Sequence, residues 1–134
     1  MIEGLDHVAI AVFNINEACQ KYEELTGVKA SGFEEVKEQG VRIAMIPLEG
    51  GSIELIAPIN DRSPLAGFLE KRGEGIHHIA LKTNDVSSDL NGLKEKEIRL
   101  IDREPRAGRE GSSVAFIHPK SLNGVLVELT EPGI

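Results

Sequence analysis

One cysteine, a deficit of positive charge and the absence of any long apolar run set the first limits on this chain. The single Cys19 has no partner for an internal disulfide, and its place on the apolar side of an expected helix assigns it to packing rather than to reactivity. Lys and Arg number 15 against 22 Asp and Glu, a formal net charge of −7. Nucleic acids and anionic membranes demand a broad basic surface, so neither is expected as a partner. An anionic small molecule fits such a chain only where basic side chains gather locally. No apolar stretch has the length of a membrane span or a signal core, and Glu3 stands where a signal would be basic, so the expected address is the cytoplasm. Low-complexity segments and a disordered linker are also missing.

What is present is a sentence written twice. The 134 residues, 40% of them hydrophobic and 28% charged, suit one soluble domain, or two half-size modules that share a core. GLDHVAI at residues 4–10 returns as GIHHIAL at 75–81, an offset of 71 that carries Gly4 to Gly75, His7 to His78 and Ala9 to Ala80. The same offset carries Ile15 to Val86 and Tyr22 to Leu93, apolar positions spaced as the buried stripe of a helix requires. Helix starts are signalled by Asn14 or Asn16 in the first copy and by Asn84 or Asp85 in the second, and Gly27 stops the first helix.

The two copies also close alike. GGSIELIAP (50–58) and NGVLVELTEP (123–132) align with an offset of 74, which carries Glu54 to Glu128 and Pro58 to Pro132. The three extra residues fall in the middle of the second copy, where loops absorb them at small cost. Extended segments are expected around Gly32–Val36 and Val41–Ile46 in the first copy, and around Arg99–Ile101 and Ser113–Ile117 in the second. Ser63 and Pro64 read as the start of a short connecting helix that Gly73 ends. The expectation is a single α+β domain over 1–134, made of two tandem βαβββ modules at about 1–62 and 75–134.

Side chains alternate along a strand, so His7 shares a face with Ala9 and Ala11, and His78 shares one with Ala80. Glu54 and Glu128 sit in otherwise apolar closing strands, where an inward carboxylate costs several kcal/mol unless it is paired or binds a cation. Taken singly, a strand histidine or glutamate is more often an ordinary surface residue. Duplication of all four argues instead for a divalent metal site built from His7, Glu54, His78 and Glu128. His77 faces away from His78 and reads as a packing residue, and His118 beside Pro119 belongs to a loop.

Over nearly its whole length the chain resembles the vicinal oxygen chelate superfamily, and within it the methylmalonyl-CoA epimerase family. The DHVAI type of opening is common across the superfamily, whereas NDRSPLAGFL, GIHHIAL and HPKSLNGVLVEL are particular to the epimerases. The resemblance implies a glyoxalase-like fold in which the modules pair around a metal-binding cleft, with His7, Glu54, His78 and Glu128 as ligands. It implies one divalent ion per site (cobalt, manganese, nickel, magnesium or zinc), an acyl-CoA substrate and a homodimer. The implied reaction is reversible inversion at the α-carbon of methylmalonyl-CoA through an enolate, which needs two acid/base groups on opposite faces. Glu128 and Glu54 are the candidates. Some epimerases carry a further acid where this chain has Ile43, and that departure is why Glu54 is assigned the second base.

Other members of the superfamily give the alternatives. Lactoylglutathione lyase (glyoxalase I) shares the fold and a His/Glu/His/Glu ligand set, but Glu54 here is followed by LIAPINDRSP rather than by its usual continuation. A metal-free sequestering module would have no use for four matched ligands. An extradiol dioxygenase needs two histidines and one carboxylate with open positions, which a fourth ligand opposes. For the CoA phosphates, Arg103, Arg106 and Arg109 in REPRAGREG, with Lys120, are candidates. Interleaved Glu104 and Glu110 are equally consistent with a solvated loop.

Overall fold

In the computed structural model of the chain, which describes residues 1–133, the expected alternation becomes eight strands and three α-helices among the described residues. Ile134, the last residue of the expected domain, lies outside them. The order is β1 (Ile2–Ala11), α1 (Ile15–Thr26), β2 (Glu34–Val36), β3 (Val41–Ile46), β4 (Ser52–Pro58), α2 (Pro64–Arg72), β5 (Gly75–Thr83), α3 (Val86–Glu95), β6 (Arg106–Ala107), β7 (Ser113–Ile117) and β8 (Val127–Glu131). Short 3-10 turns occupy Arg109–Gly111 and Pro119–Leu122. No helix among the described residues is long and apolar enough to cross a membrane. The chain divides into two compact units, His7–His77 and Met1–Asp6 with the residues from His78 onward.

In the first unit β1 runs parallel to β4, which pairs antiparallel with β3, and β3 pairs antiparallel with β2. Asn14 caps α1 by accepting the backbone N–H of Glu17 at 3.0 Å, and Gly27 closes it in the left-handed region at φ 73°. From α1, Ile15, Ala18 and Cys19 pack on Ala44, Ile46, Leu55 and Ala57. The other face of the same strands, with Ala9, Ile43, Met45 and Ile56, is covered by Leu65 and Leu69 of α2. Burial on both faces explains why VRIAMI lacks polar alternation. Arg42 is its exception, paired with Glu35 across β2 at 3.3 Å. Gly40 makes the turn into β3 at φ 69°, and a Cβ there would lie 2.7 Å from Ser63 Cβ. The EQGV turn therefore requires glycine for both conformation and space.

In the second unit β5 runs parallel to β8, β8 pairs antiparallel with β7, and β7 with β6. Asp85 is the cap of α3, accepting the Ser88 N–H at 3.1 Å. Val86 and Leu90 pack on Ala115, Ile117, Val127 and Leu129, so α3 lies against one face of this sheet. The strand expected around Arg99–Ile101 is not formed. Leu100 makes one isolated bridge to Ile117, after which Ile101 N and Asp102 N both donate to Phe116 O and the chain curls. The paired edge strand is β6, seven residues beyond Arg99. Two backbone donors spent on one carbonyl cannot continue a ladder, which is the reason for the displacement.

Candidate functional site

The candidate residues lie on strands that the repeat makes equivalent. In the first unit the parallel register sets Ala9 opposite Glu54, and His7 stands two residues before Ala9 on the same face. In the second, Ala80 is opposite Glu128, with His78 two residues before it. Ala9 and Ala80 are both fully buried. A methyl group opposite each glutamate leaves volume through which the carboxylate reaches the imidazole of the neighbouring strand. That is the physical content of the repeated His-x-Ala. His7 Nε2 lies 3.3 Å from Glu54 Oε2, and His78 Nε2 lies 3.9 Å from Glu128 Oε1.

All four side chains are buried, with relative exposures of 4–5%. Burying a carboxylate beside an imidazole costs several kcal/mol unless its charge is compensated. A divalent cation removes that cost, and imidazole with carboxylate is a donor set suited to zinc, manganese, cobalt or nickel. His7, Glu54 and His78 each offer a ligand atom of this kind from a buried position. The chemistry of the residues present fits such an ion.

Neighbouring side chains orient the pairs. The ring of His78 meets Phe116 edge-on, with centroids 5.3 Å apart and planes at 88°. Phe116 is directly opposite Glu128 on β7, so one aromatic ring braces both members of the second pair. Its backbone N–H donates to Asp102 Oδ2 at 2.8 Å, and Asp102 N donates back to Phe116 O at 3.1 Å. The sequence reading missed Phe116 and Asp102. Alternation along SVAFI was a signal for the first, but nothing local announces the second. Ile43 is buried in the apolar cluster under α2 and supplies no acid/base group.

Other expectations find their places. His77 packs edge-on against Phe68, with centroids 4.8 Å apart. Burial, aided by the charge of Arg72, pushes its pKa down to about 4, so it is a neutral packing residue. His118 caps the turn Pro119–Leu122, where its Nδ1 accepts the Lys120 N–H at 3.0 Å. Of the basic candidates, Arg103 and Lys120 are exposed and Arg109 pairs with Glu110 at 2.9 Å. Arg106 stands with its Cζ 5.3 Å from the centroid of the Phe116 ring.

Comparison with known proteins identifies the family. Residues 6–116 match the family model of the Glyoxalase/Bleomycin resistance protein/Dioxygenase superfamily. The mitochondrial methylmalonyl-CoA epimerase of Dictyostelium discoideum is 42% identical, over 97% of this chain and 79% of that protein. The ethylmalonyl-CoA/methylmalonyl-CoA epimerase of Cereibacter sphaeroides is 40% identical, over 98% of this chain and 99% of the other. A solved methylmalonyl-CoA epimerase in complex with methylmalonyl-CoA and NH4+ superposes with a TM-score of 0.94 at 34% identity, covering 98% of this chain and 96% of the other. By its two βαβββ modules, its motifs and these relatives, the chain belongs to the glyoxalase and vicinal oxygen chelate superfamily, and within it to the methylmalonyl-CoA epimerase family.

Proposed function

We propose that this protein is a methylmalonyl-CoA epimerase in which His7, Glu54, His78 and Glu128 together hold one divalent ion. The observation that carries this reading is the shared register: in both modules a histidine and a glutamate on parallel strands are buried side by side across an alanine. When bound, the ion would stabilise the negative charge that develops as the substrate loses its α-proton. Glu128 takes or returns that proton at one face and Glu54 does so at the other, which inversion requires. Burial of both carboxylates excludes water, so a proton they accept is retained long enough to be given back. His7 and His78 hold these glutamates in place through the contacts at 3.3 and 3.9 Å. Phe116 fixes the His78 ring. Ile43, standing where some epimerases carry an acid, leaves the second role to Glu54.

The relatives named above are epimerases of substituted malonyl thioesters, which supports an acyl-CoA substrate. No observation favours the glyoxalase I alternative. A homodimer belongs to the same reading, with exposed Ile2 and Val125 offering apolar surface to a second copy. Light scattering that returns the monomer mass would refute it. We assign the protein to the cytoplasm, where fractionation of the source cells should find it. The function itself is tested by deuterium exchange into methylmalonyl-CoA in heavy water, with and without added cobalt or manganese. Metal-dependent exchange is the expected result. No exchange, together with turnover of the glutathione–methylglyoxal adduct, would overturn the assignment.

A further inference from the structure

The edge strands are where the duplicated modules differ in charge. In the second unit Arg106 on β6 pairs with Val114, two residues before Phe116, which stands opposite Glu128. Registered partners share a face, so Arg106, Val114, Phe116 and Glu128 lie on one side of the sheet. In the first unit the matching slot on β2 is Glu34, opposite Ile43, two residues before Met45, which stands opposite Glu54. One slot holds a carboxylate in one module and a guanidinium in the other.

Arg106 is held in a defined pose. Its Nε lies 3.3 Å from Asp102 Oδ2, the oxygen that also accepts the Phe116 N–H, and its guanidinium covers the Phe116 ring. A guanidinium has five N–H donors, and the Nε of Arg106 is buried without a hydrogen-bond partner although the Asp102 carboxylate lies beside it. The side chain as a whole remains 36% exposed. Stacking on Phe116 and the contact to Asp102 restrict its rotamers in advance, so less freedom is lost when an anion binds. On a chain of net charge −7, a fixed cation beside a buried site is what a negatively charged ligand needs.

We propose that Arg106 is an anion anchor: its terminal guanidinium nitrogens bind an anionic oxygen group of the acyl-CoA substrate, either the malonyl carboxylate or a phosphate of the carrier. This rests on the acyl-CoA reading above and names a specificity residue for it. The test is calorimetric titration of wild type, Arg106→Met, Arg106→Lys and Asp102→Asn with three ligands. Malonyl-CoA offers both groups, acetyl-CoA only the phosphates, and malonyl-pantetheine only the carboxylate. Arg106→Met should weaken malonyl-CoA binding roughly 10- to 100-fold, as loss of a charged hydrogen-bond partner does, with part of the loss restored by Arg106→Lys. The same loss with acetyl-CoA alone assigns the phosphate, and with malonyl-pantetheine alone the carboxylate. Asp102→Asn keeps an oxygen for the Phe116 N–H but gives up the charge that fixes the Arg106 pose, so it should weaken affinity about threefold, well below the effect of removing the charged partner itself.

Three results would overturn the anchor: Arg106→Met binding like wild type, Asp102→Asn matching Arg106→Met, or equal losses with both partial ligands, which would mean that the residue only shapes the site. Proton exchange by wild type judges the epimerase reading separately. An active enzyme whose binding ignores Arg106 sinks the anchor alone, whereas Arg106-dependent binding without exchange sinks the epimerase assignment alone. A wild type that binds none of the three ligands overturns both.

Discussion

The two modules share a register and differ in what surrounds it. In the first, the face bearing His7 and Glu54 also carries an apolar cluster, Ile43, Met45 and Ile56, under Leu65 and Leu69 of α2. In the second, the face bearing His78 and Glu128 carries Phe116, and it is covered by the planar charge of Arg106. Both modules keep a histidine two residues before an alanine that faces a glutamate, the arrangement that the proposed ion would use. Around that arrangement the halves differ, one carrying an apolar cluster on this face and the other an aromatic ring with a guanidinium over it.

Breaking either half should reveal whether both serve one ion. His7→Gln and His78→Gln should each abolish metal uptake and lower proton exchange on the order of 10²- to 10³-fold, the scale of losing one charge-stabilising group. Elemental analysis checks this. If one variant keeps half the metal, the modules bind separate ions and the shared site is wrong. Glu54→Gln and Glu128→Gln should each lower epimerisation about 10²- to 10⁴-fold as acid/base groups, while each still exchanges a proton at the remaining face. Unchanged epimerisation by Glu54→Gln would remove it from catalysis.

Equivalent positions under the offset of 71 sharpen the comparison further. Leu90 is the counterpart of Cys19, and both are buried under their helices. Leu90→Ala should cost about 2–5 kcal/mol in denaturant unfolding, and Cys19→Ala only about 1 kcal/mol. Gly40 and Gly111 are counterparts too, both at positive φ, but an added Cβ meets Ser63 at the first and nothing within 4 Å at the second. Gly40→Ala should therefore be the more damaging, losing roughly 1–3 kcal/mol more than Gly111→Ala through the clash. The smallest effect is chemical. Burial, with the nearby charge of Glu23, raises the Cys19 pKa, so alkylation of the native protein should be slow at neutral pH and become rapid on unfolding. The sign follows from linkage: the thiol's contribution to stability is complete below its ordinary pKa and is lost as pH rises through the raised value.

The repeat made most of this legible. The His-x-Ala openings, the closing strands, the caps at Asn14 and Asp85 and the proline start of α2 are local patterns, and each corresponds to a single physical demand on a few adjacent residues. The placement of β6 was not legible, because Asp102 N and Ile101 N turn the chain onto Phe116 O, a contact 14 to 15 residues away in sequence. Arg106 could be picked out as a basic loop residue, but its stacking over Phe116 depends on that same fold-back. Long-range side-chain pairing leaves no periodicity to read. Nor does the sequence explain why Glu34 and Arg106 occupy matching slots; only the strand register makes them counterparts.

Ala9 and Ala80 have an implication for how such a scaffold changes its trade. Because each is fully buried opposite a glutamate, a branched side chain at either place would push the facing glutamate off its histidine without altering any donor residue. A single codon change could thus disable one histidine–glutamate pair while leaving every donor residue of the other pair in place.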